Sequence, residues 1–174
     1  VASLVGSEMC IRDSNMIFPY QGSQILITDS MCDSNGHLNM VQHCQVLEDG
    51  CYGFQEDLGY TTEYFNQGYS NFVLEMNIRY LHEVFAGDKV STCYRLIDCG
   101  PKLFHYCAAI LSPKDEICSV AEYVLAHVNL TERKTTNMDH DLRQKMQNML
   151  EEHKKSDTLN FKLNLSIEKK DHEQ

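Results

Sequence analysis

The chain has 174 residues, 43% of them hydrophobic, and a formal net charge of −10 at pH 7. This length can bury one core and predicts one domain. The whole negative excess lies in residues 1–130, where sixteen acidic side chains face six basic ones, and such a surface argues against nucleic acid as a partner because it repels phosphate backbones.

The sequence also carries no sign of membrane or metal binding. No run approaches the roughly 18 apolar residues that span a bilayer, and none resembles a signal peptide. The eight cysteines are scattered and lack a secretory context, which predicts reduced thiols. No His or Cys spacing is typical of a zinc site. We therefore expect a soluble cytoplasmic protein that uses no metal and no cofactor.

In chain order, residues 1–14 show no sustained periodicity and are predicted to be extraneous or disordered. Gln24–Thr28 predicts a short strand, and the polar, glycine-bearing stretch Asp29–Gly36 predicts a loop. From Leu38 to Leu58 apolar residues recur every three or four positions, which predicts one long amphipathic helix. The main domain is expected to cover residues 15–135.

Two glycines interrupt the predicted helix. Gly50 and Gly53 each cost about 1 kcal/mol relative to alanine in a helix interior. Because they share one face, we expect the backbone of another element to approach the helix closely there.

Four strands are predicted after the helix. Residues 72–80 alternate apolar and polar side chains, which is typical of a strand with one apolar face. Short turns containing glycine or proline then separate the stretches 89–98, 102–111 and 116–129. Such turns join antiparallel neighbours, so the order of elements favours an α+β domain in which an antiparallel sheet packs against one helix.

Residues 136–174 are predicted to be a C-terminal extension. Apolar residues at helical spacing favour an amphipathic helix over residues 137–155. Residues 156–174 are mostly polar and are expected to fray.

The segment Asp33–Met40 places an acid, a glycine, a histidine and an amide directly before the predicted helix. Free backbone N–H groups at a helix N-terminus favour developing negative charge, so they can polarise a thioester carbonyl. Asp33 could attack that carbon or activate a water, and Gly36 would let the backbone pass close to a ligand. The same residue types are common turn formers and N-caps, so a purely structural loop stays open.

The pattern Asp33-x-x-Gly36-His37-Leu38-Asn39 resembles the D-x-x-G-H-[VLM]-N signature of the 4-hydroxybenzoyl-CoA thioesterase group of hotdog proteins. With Cys32 included, it is similar to the C-D-x-x-G-H-M-N form of the betainyl-CoA thioesterases of carnitine breakdown. Later segments resemble the family's strand, G-D turn and following hairpin, in the right order: Ile78–Tyr80, Ala86–Asp88 and Gly100–Lys102.

This resemblance implies an α+β hotdog fold, in which a five-stranded antiparallel sheet wraps a long central helix. It also implies an acyl-CoA substrate in a cleft between subunits of a homodimer or a dimer of dimers. Asp33 would be the nucleophile or general base, and Glu48 a secondary acid. His37 and Asn39 would shape the loop or hold the water, and backbone N–H groups of residues 38–40 would polarise the carbonyl.

Further site residues are expected around these. The predicted substrate contacts are Asn35, Gly36, Leu38, Met40, Asp49, Tyr52 and Phe72. A basic patch for CoA could draw on Arg79, Lys89, Arg95 and Lys102, and the predicted CoA contacts among them are Arg79, Lys89 and Lys102. Many relatives carry asparagine where Met40 stands and tyrosine where His43 stands, so the acyl pocket need not match theirs. His37, Asn39 and Glu48 each keep an alternative, purely structural interpretation.

Seven aromatic residues and several carboxylates lie between Tyr52 and Phe72 and in the helix just before them. Aromatic faces beside carboxylates hold quaternary ammonium groups, which favours a cationic acyl group such as betainyl, although the rings could equally be core. Three other classes stay open: an enoyl-CoA hydratase, a non-catalytic acyl-CoA-binding module and a structural assembly domain.

Overall fold

A curled antiparallel sheet organises the computed structural model, which describes residues 17–168; the predicted segment 1–14 lies outside them. In chain order the elements are β1 (Tyr20–Leu26), a 3-10 turn (Asp29–Met31), α1 (Met40–Gly50), α2 (Tyr52–Leu58), α3 (Thr62–Asn66), β2 (Tyr69–Tyr80), β3 (Lys89–Cys99), β4 (Leu103–Leu111), β5 (Ile117–Asn129), β6 (Lys134–Thr135) and α4 (His140–His153).

The strand order is β1-β3-β4-β5-β2, with β6 pairing to β5. All pairs are antiparallel, as the short turns predicted. The helical segment between β1 and β2 carries the chain across the concave face, so these two strands form opposite edges. The five long strands and the helical layer confirm the predicted hotdog fold, to which the structure adds a two-residue sixth strand.

The predicted long helix is in two pieces. The chain leaves α-helical hydrogen bonding at Cys51, whose N–H donates to Glu48 O at 3.1 Å, three residues back instead of four. Gly50 and Gly53 flank this point, and both are weak helix formers. The buried side chains of the two pieces, including Val46, Leu47, Phe54 and Leu58, still form one core with the sheet.

The predicted close approach of another backbone is confirmed at Gly50, because a Cβ on Gly22 of β1 would lie 2.7 Å from the Gly50 carbonyl oxygen, and both helix glycines also face side chains. A Cβ at Gly50 would overlap the Thr92 side chain, and one at Gly53 would lie 2.8 Å from Tyr20 Oη. The glycines therefore let the helical layer lie directly on β1 and β3.

The apolar face of β2 is largely exposed. Phe72, Leu74, Met76 and Tyr80 each keep between 38% and 47% of their surface in solvent. β2 is also an edge strand, with β5 as its one neighbour in the described sheet. Such an edge is a surface on which another chain can pair.

The C-terminal extension packs on the protein. Helix α4 buries Leu142, Met146 and Leu150, as predicted. Residues 156–168 do not fray, in contrast to the prediction: Asn164 N–H and Leu165 N–H donate to the buried Glu122 carboxylate at 2.9 and 3.0 Å. The prediction failed because the anchor is a carboxylate 42 residues away in the chain.

The seven cysteines among the described residues form no disulfide with one another. No helix in residues 17–168 has the length and apolarity needed to cross a membrane.

Candidate active site

A tight turn presents Asp33. The Asp33 N–H donates to His37 O and the Gly36 N–H donates to Asp33 O, both at 3.0 Å. Gly36 has a φ of +84°, a conformation that favours glycine. A Cβ there would meet no protein atom within 4 Å. The glycine is therefore needed for the turn itself.

The Asp33 carboxylate is held by its own loop. Asn35 N–H donates to Oδ1 at 2.8 Å, and the Asn35 side-chain amide lies 3.4 Å from Oδ2. The Asp33 side chain keeps 23% of its surface accessible, so the carboxylate is oriented but not sealed. Asn35 therefore contributes as a positioning group.

Asp33 lines a cavity of about 520 Å³ beside the N-terminus of α1. One wall comes from the loop and the first turn of α1, and the other from the end of β2 and the chain beyond it. The lining residues are Asp33, His37, Leu38, Asn39, Met40, His43, Tyr80, Leu81, His82, Glu83 and Val84. We call this space the Asp33 cavity.

Fewer backbone amides face this cavity than predicted. Leu38 N–H donates to Val84 O at 2.7 Å and Asn39 N–H to Met31 O at 3.0 Å. Val41 N–H is capped by Asn39 Oδ1 at 2.9 Å. Within the part of the chain described, the Met40 N–H is the amide of this stretch left without a protein acceptor. A carbonyl oxygen can thus be polarised there by one amide rather than three.

Asn39 and His37, both predicted to be catalytic, make contacts that are consistent with structural roles. Asn39 is the N-cap of α1, which occupies its side-chain oxygen. His37 Nδ1 lies 3.3 Å from Leu38 O and 4.0 Å from Asp33 Oδ1. At 4.0 Å the two groups make no direct hydrogen bond, and an ion pair between them would require a protonated ring.

His43 lines the cavity but was not predicted as a site residue. It is buried, with Nδ1 3.1 Å from Ser119 Oγ and its ring edge-on to Tyr80 at 5.0 Å between centroids. Burial, with a smaller effect of His37, lowers its pKa to about 4. The signal in the sequence was its spacing, since residues 40 and 43 lie on one face of a helix.

Glu48 and Tyr52 line a different cavity, of about 420 Å³, together with Glu56, Phe65 and Tyr106 among others. Glu48 lies eight residues after Met40, which is about 12 Å along the helix axis. Within one subunit Glu48 therefore does not join Asp33. We call this second space the aromatic cavity.

Four of the predicted substrate contacts line neither cavity: Asn35 and Gly36 of the Asp33 turn, Asp49 and Phe72. Asp49 is exposed and accepts from Gln45 Nε2 at 2.7 Å. Phe72 lies on edge strand β2 beneath the guanidinium of Arg133.

The three predicted CoA contacts are not brought together in one subunit. Arg79 lies 3.9 Å from the Glu122 carboxylate, and its guanidinium lies over the ring of Phe161. Lys89 begins β3, whereas Lys102 follows its end, so the two lie about 30 Å apart. Neither cavity is lined by any of the three.

Comparison with known proteins gives a consistent family. The model of the Thioesterase-like superfamily matches residues 27–146. An L-carnitine dehydrogenase/betainyl-CoA thioesterase of Agrobacterium fabrum is 28% identical over 121 residues, 70% of this chain and 25% of that protein. The protein of the same name from Rhizobium meliloti is 25% identical over 126 residues, 72% of this chain and 25% of that protein. The chain spans about a quarter of the length of these relatives.

Solved structures share the fold. A Staphylococcus aureus protein in complex with CoA superposes with a TM-score of 0.70 at 18% identity, covering 83% of this chain and 94% of that one. A DHNA-CoA thioesterase from Staphylococcus aureus gives a TM-score of 0.68 at 18% identity, covering 76% and 94%. At 18% identity these similarities show a shared fold and nothing further.

Proposed function

The chain belongs to the Thioesterase-like superfamily, and we infer that it hydrolyses an acyl-CoA thioester to the free acid and CoA. The observation that carries this proposal is the position of the Asp33 carboxylate, partly exposed on a cavity that is also lined by Met40, whose N–H has no protein acceptor among the described residues. A nucleophile or base and a carbonyl-polarising donor are the two groups that acyl transfer requires.

In the proposed reaction the thioester oxygen accepts a hydrogen bond from Met40 N–H, which stabilises the negative charge that develops there. Two routes follow. As a general base, Asp33 takes a proton from a water that attacks the carbonyl carbon, the C–S bond breaks, and the proton reaches the departing thiolate. As a nucleophile, Asp33 forms a mixed anhydride and expels the thiolate, and water then hydrolyses the anhydride.

Asn35 and Gly36 support this step from the turn, Asn35 by holding the carboxylate and Gly36 by allowing the turn to form. Leu38 and Met40 would contact the substrate as part of the cavity wall. We keep His37 as a group that can pair with the Asp33 carboxylate when protonated. We propose residues 15–135 as the catalytic unit, with residues 136–174 as an extension, and the cytoplasm as its compartment.

We propose that two subunits complete the site by pairing their β2 edges in a homodimer, which could pair again as a dimer of dimers. The exposed apolar side chains of β2 support this pairing. The aromatic cavity lies at the start of β2 and the Asp33 cavity at its end. Antiparallel pairing of two β2 strands would therefore place the aromatic cavity of one subunit beside the Asp33 cavity of the other.

For the acyl group we propose a cationic substrate such as betainyl. The aromatic cavity combines the rings of Tyr52, Phe65 and Tyr106 with the carboxylates of Glu48 and Glu56. Rings and carboxylates together hold quaternary ammonium groups. The names of the curated relatives support the same substrate class.

The proposal is tested by measuring thiol release over a panel of betainyl, neutral short-chain and aryl CoA thioesters. We expect turnover to be fastest with betainyl-CoA. A preference for neutral substrates would contradict the cationic acyl group but not thioester hydrolysis. The alternative function is a non-catalytic acyl-CoA-binding module: tight CoA-ester binding without thiol release from any substrate would favour it.

A further inference from the structure

The proposed mechanism leaves one buried polar pair of the Asp33 cavity unused. His43, in the first turn of α1, and Ser119, on β5, are 76 residues apart in the chain, and Nδ1 of the first lies 3.1 Å from Oγ of the second. Ser119 is fully buried. A buried hydroxyl that gives up water must find a partner in the protein.

The proton count of this pair fixes the ring's tautomer. The Ser119 hydroxyl has one proton, and the His43 ring is the acceptor that the described chain offers it. The hydroxyl therefore donates to Nδ1, and the single proton of the neutral ring stays on Nε2. The low pKa of His43 supports a neutral ring near pH 7. The groups that face this ring are His37, Tyr80 and Ser119.

The free nitrogen faces the cavity. Ser119 occupies Nδ1, so Nε2 is the ring nitrogen left for a further partner, and no hydrogen bond to it is found among the described residues. His43 keeps 4% of its surface accessible. Since His43 lines the Asp33 cavity, this N–H points to the space where a substrate would lie.

We propose that His43 Nε2–H is a second hydrogen-bond donor to the thioester oxygen, beside Met40 N–H, and that Ser119 positions it. Met40 and His43 both belong to the first turn of α1, and both line the Asp33 cavity. This inference rests on the proposed function and adds a catalytic residue to it. The backbone N–H groups of Leu38 and Asn39 donate to other carbonyls, and His43 would supply a donor in their place.

The tautomer of the His43 ring can be tested without measuring enzyme activity. Long-range ¹H–¹⁵N spectra of the full chain should show the His43 proton on Nε2, and Ser119→Ala should convert the ring to a mixture of tautomers. A wild-type ring protonated on Nδ1 would overturn the proposal, whatever the enzyme activity.

The donor is tested by kinetics and by the bound carbonyl. His43→Phe should lower kcat by about 10²-fold with a smaller change in KM, the usual effect of removing one such donor. His43→Gln should recover part of the loss, since its amide can donate. The exposed His140→Phe, on α4, is the matched control and should keep wild-type kcat.

The infrared carbonyl stretch of an acyl-CoA bound to Asp33→Asn should move to higher frequency when His43→Phe is added. A folded His43→Phe with near wild-type kcat would overturn the role of His43 and leave the proposed function standing. Absence of thiol release by the wild type with every thioester would instead overturn the proposed function, and the carbonyl stretch would still report on the donor.

Discussion

The backbone N–H of Asn35 lies 2.8 Å from Oδ1 of Asp33, two residues earlier in the same turn. One carboxylate oxygen is thereby held by the loop, and the side chain presents its remaining accessible surface to the cavity at the start of α1. This local bond, rather than a distant ion pair, orients the proposed nucleophile or base.

Asp33→Asn keeps the size of the side chain but removes its charge and basicity. We expect kcat to fall by about 10²-fold to 10⁴-fold while acyl-CoA binding persists, because a base or nucleophile acts in the chemical step. Steady-state kinetics and calorimetric binding measure the two effects. Asp141→Asn, at a fully exposed carboxylate of α4, is the control. Unchanged kcat in Asp33→Asn would contradict the assignment.

Asn39→Ala separates a structural role from a catalytic one. The Asn39 side chain caps α1 through Val41 N–H, so its loss should lower the free energy of unfolding by about 1 kcal/mol. Asn39→Asp should retain most of this stability, because aspartate also caps helices. Urea denaturation gives the stabilities. A large loss of kcat in Asn39→Asp, with stability intact, would show that the amide takes part in the reaction.

His153 makes stability depend on pH. Its Nδ1 accepts from Leu96 N–H at 2.9 Å, and burial, together with the charge of Arg95, lowers its pKa from 6.5 to about 4. A depressed histidine pKa means that the unfolded chain takes up the proton first. Stability from this group is therefore full above pH 6.5 and is lost as the pH falls towards 4.

Between pH 7 and pH 5 the His153 contribution should fall by about 2 kcal/mol. Urea unfolding at the two pH values measures the difference. In His153→Gln, whose side-chain oxygen can accept from Leu96 N–H, the pH-dependent loss should shrink by that amount. An equal loss in both proteins would show that His153 is not responsible.

Glu122 holds the C-terminal segment on the sheet. Its buried carboxylate accepts from two backbone N–H groups of residues 164–165 and faces Arg79 and His105. Glu122→Leu should cost about 1 to 3 kcal/mol, because the two part-buried N–H groups lose their acceptor and the partly exposed Arg79 loses its partner. Hydrogen exchange in residues 156–168 should rise. Glu116→Gln, at an exposed position before β5, should change neither.

The β2 edge is the proposed subunit interface. Val73, which is 54% exposed, should tolerate lysine in a monomer, whereas a charge in a paired apolar edge opposes association. We expect Val73→Lys to shift the sedimentation of the dimer to that of the monomer and to lower kcat. Leu26→Lys, on the opposite edge strand β1 and 59% exposed, is the comparison. If only Leu26→Lys dissociated the dimer, the interface would lie on the β1 edge and the proposed β2 pairing would be contradicted.

Several features of the fold and site could be predicted because their causes are local. Alternating side chains and short turns defined the strands, which the structure confirms to within three residues at most ends, although β1 starts at Tyr20, four residues earlier than predicted. The motif around Asp33 correctly indicated a turn before a helix. The break at Cys51 was missed, since the helical apolar spacing continues across it.

Other features depend on residues far apart in the sequence. The Ser119 partner of His43, the attachment of residues 156–168 to Glu122, and the separation of Glu48 from Asp33 all arise when strands and helices pack. No local period encodes such contacts, so neither the distance of Glu48 from Asp33 within one subunit nor the anchoring of the tail could be predicted from the sequence.

The order of the main elements and the turn that carries Asp33 follow from local sequence, because hydrophobic period, turn chemistry and capping act within a few residues. Which donors reach the Asp33 cavity depends on tertiary packing. Those outcomes depend on which buried polar groups find a partner once water has left, and that is settled only when distant segments meet.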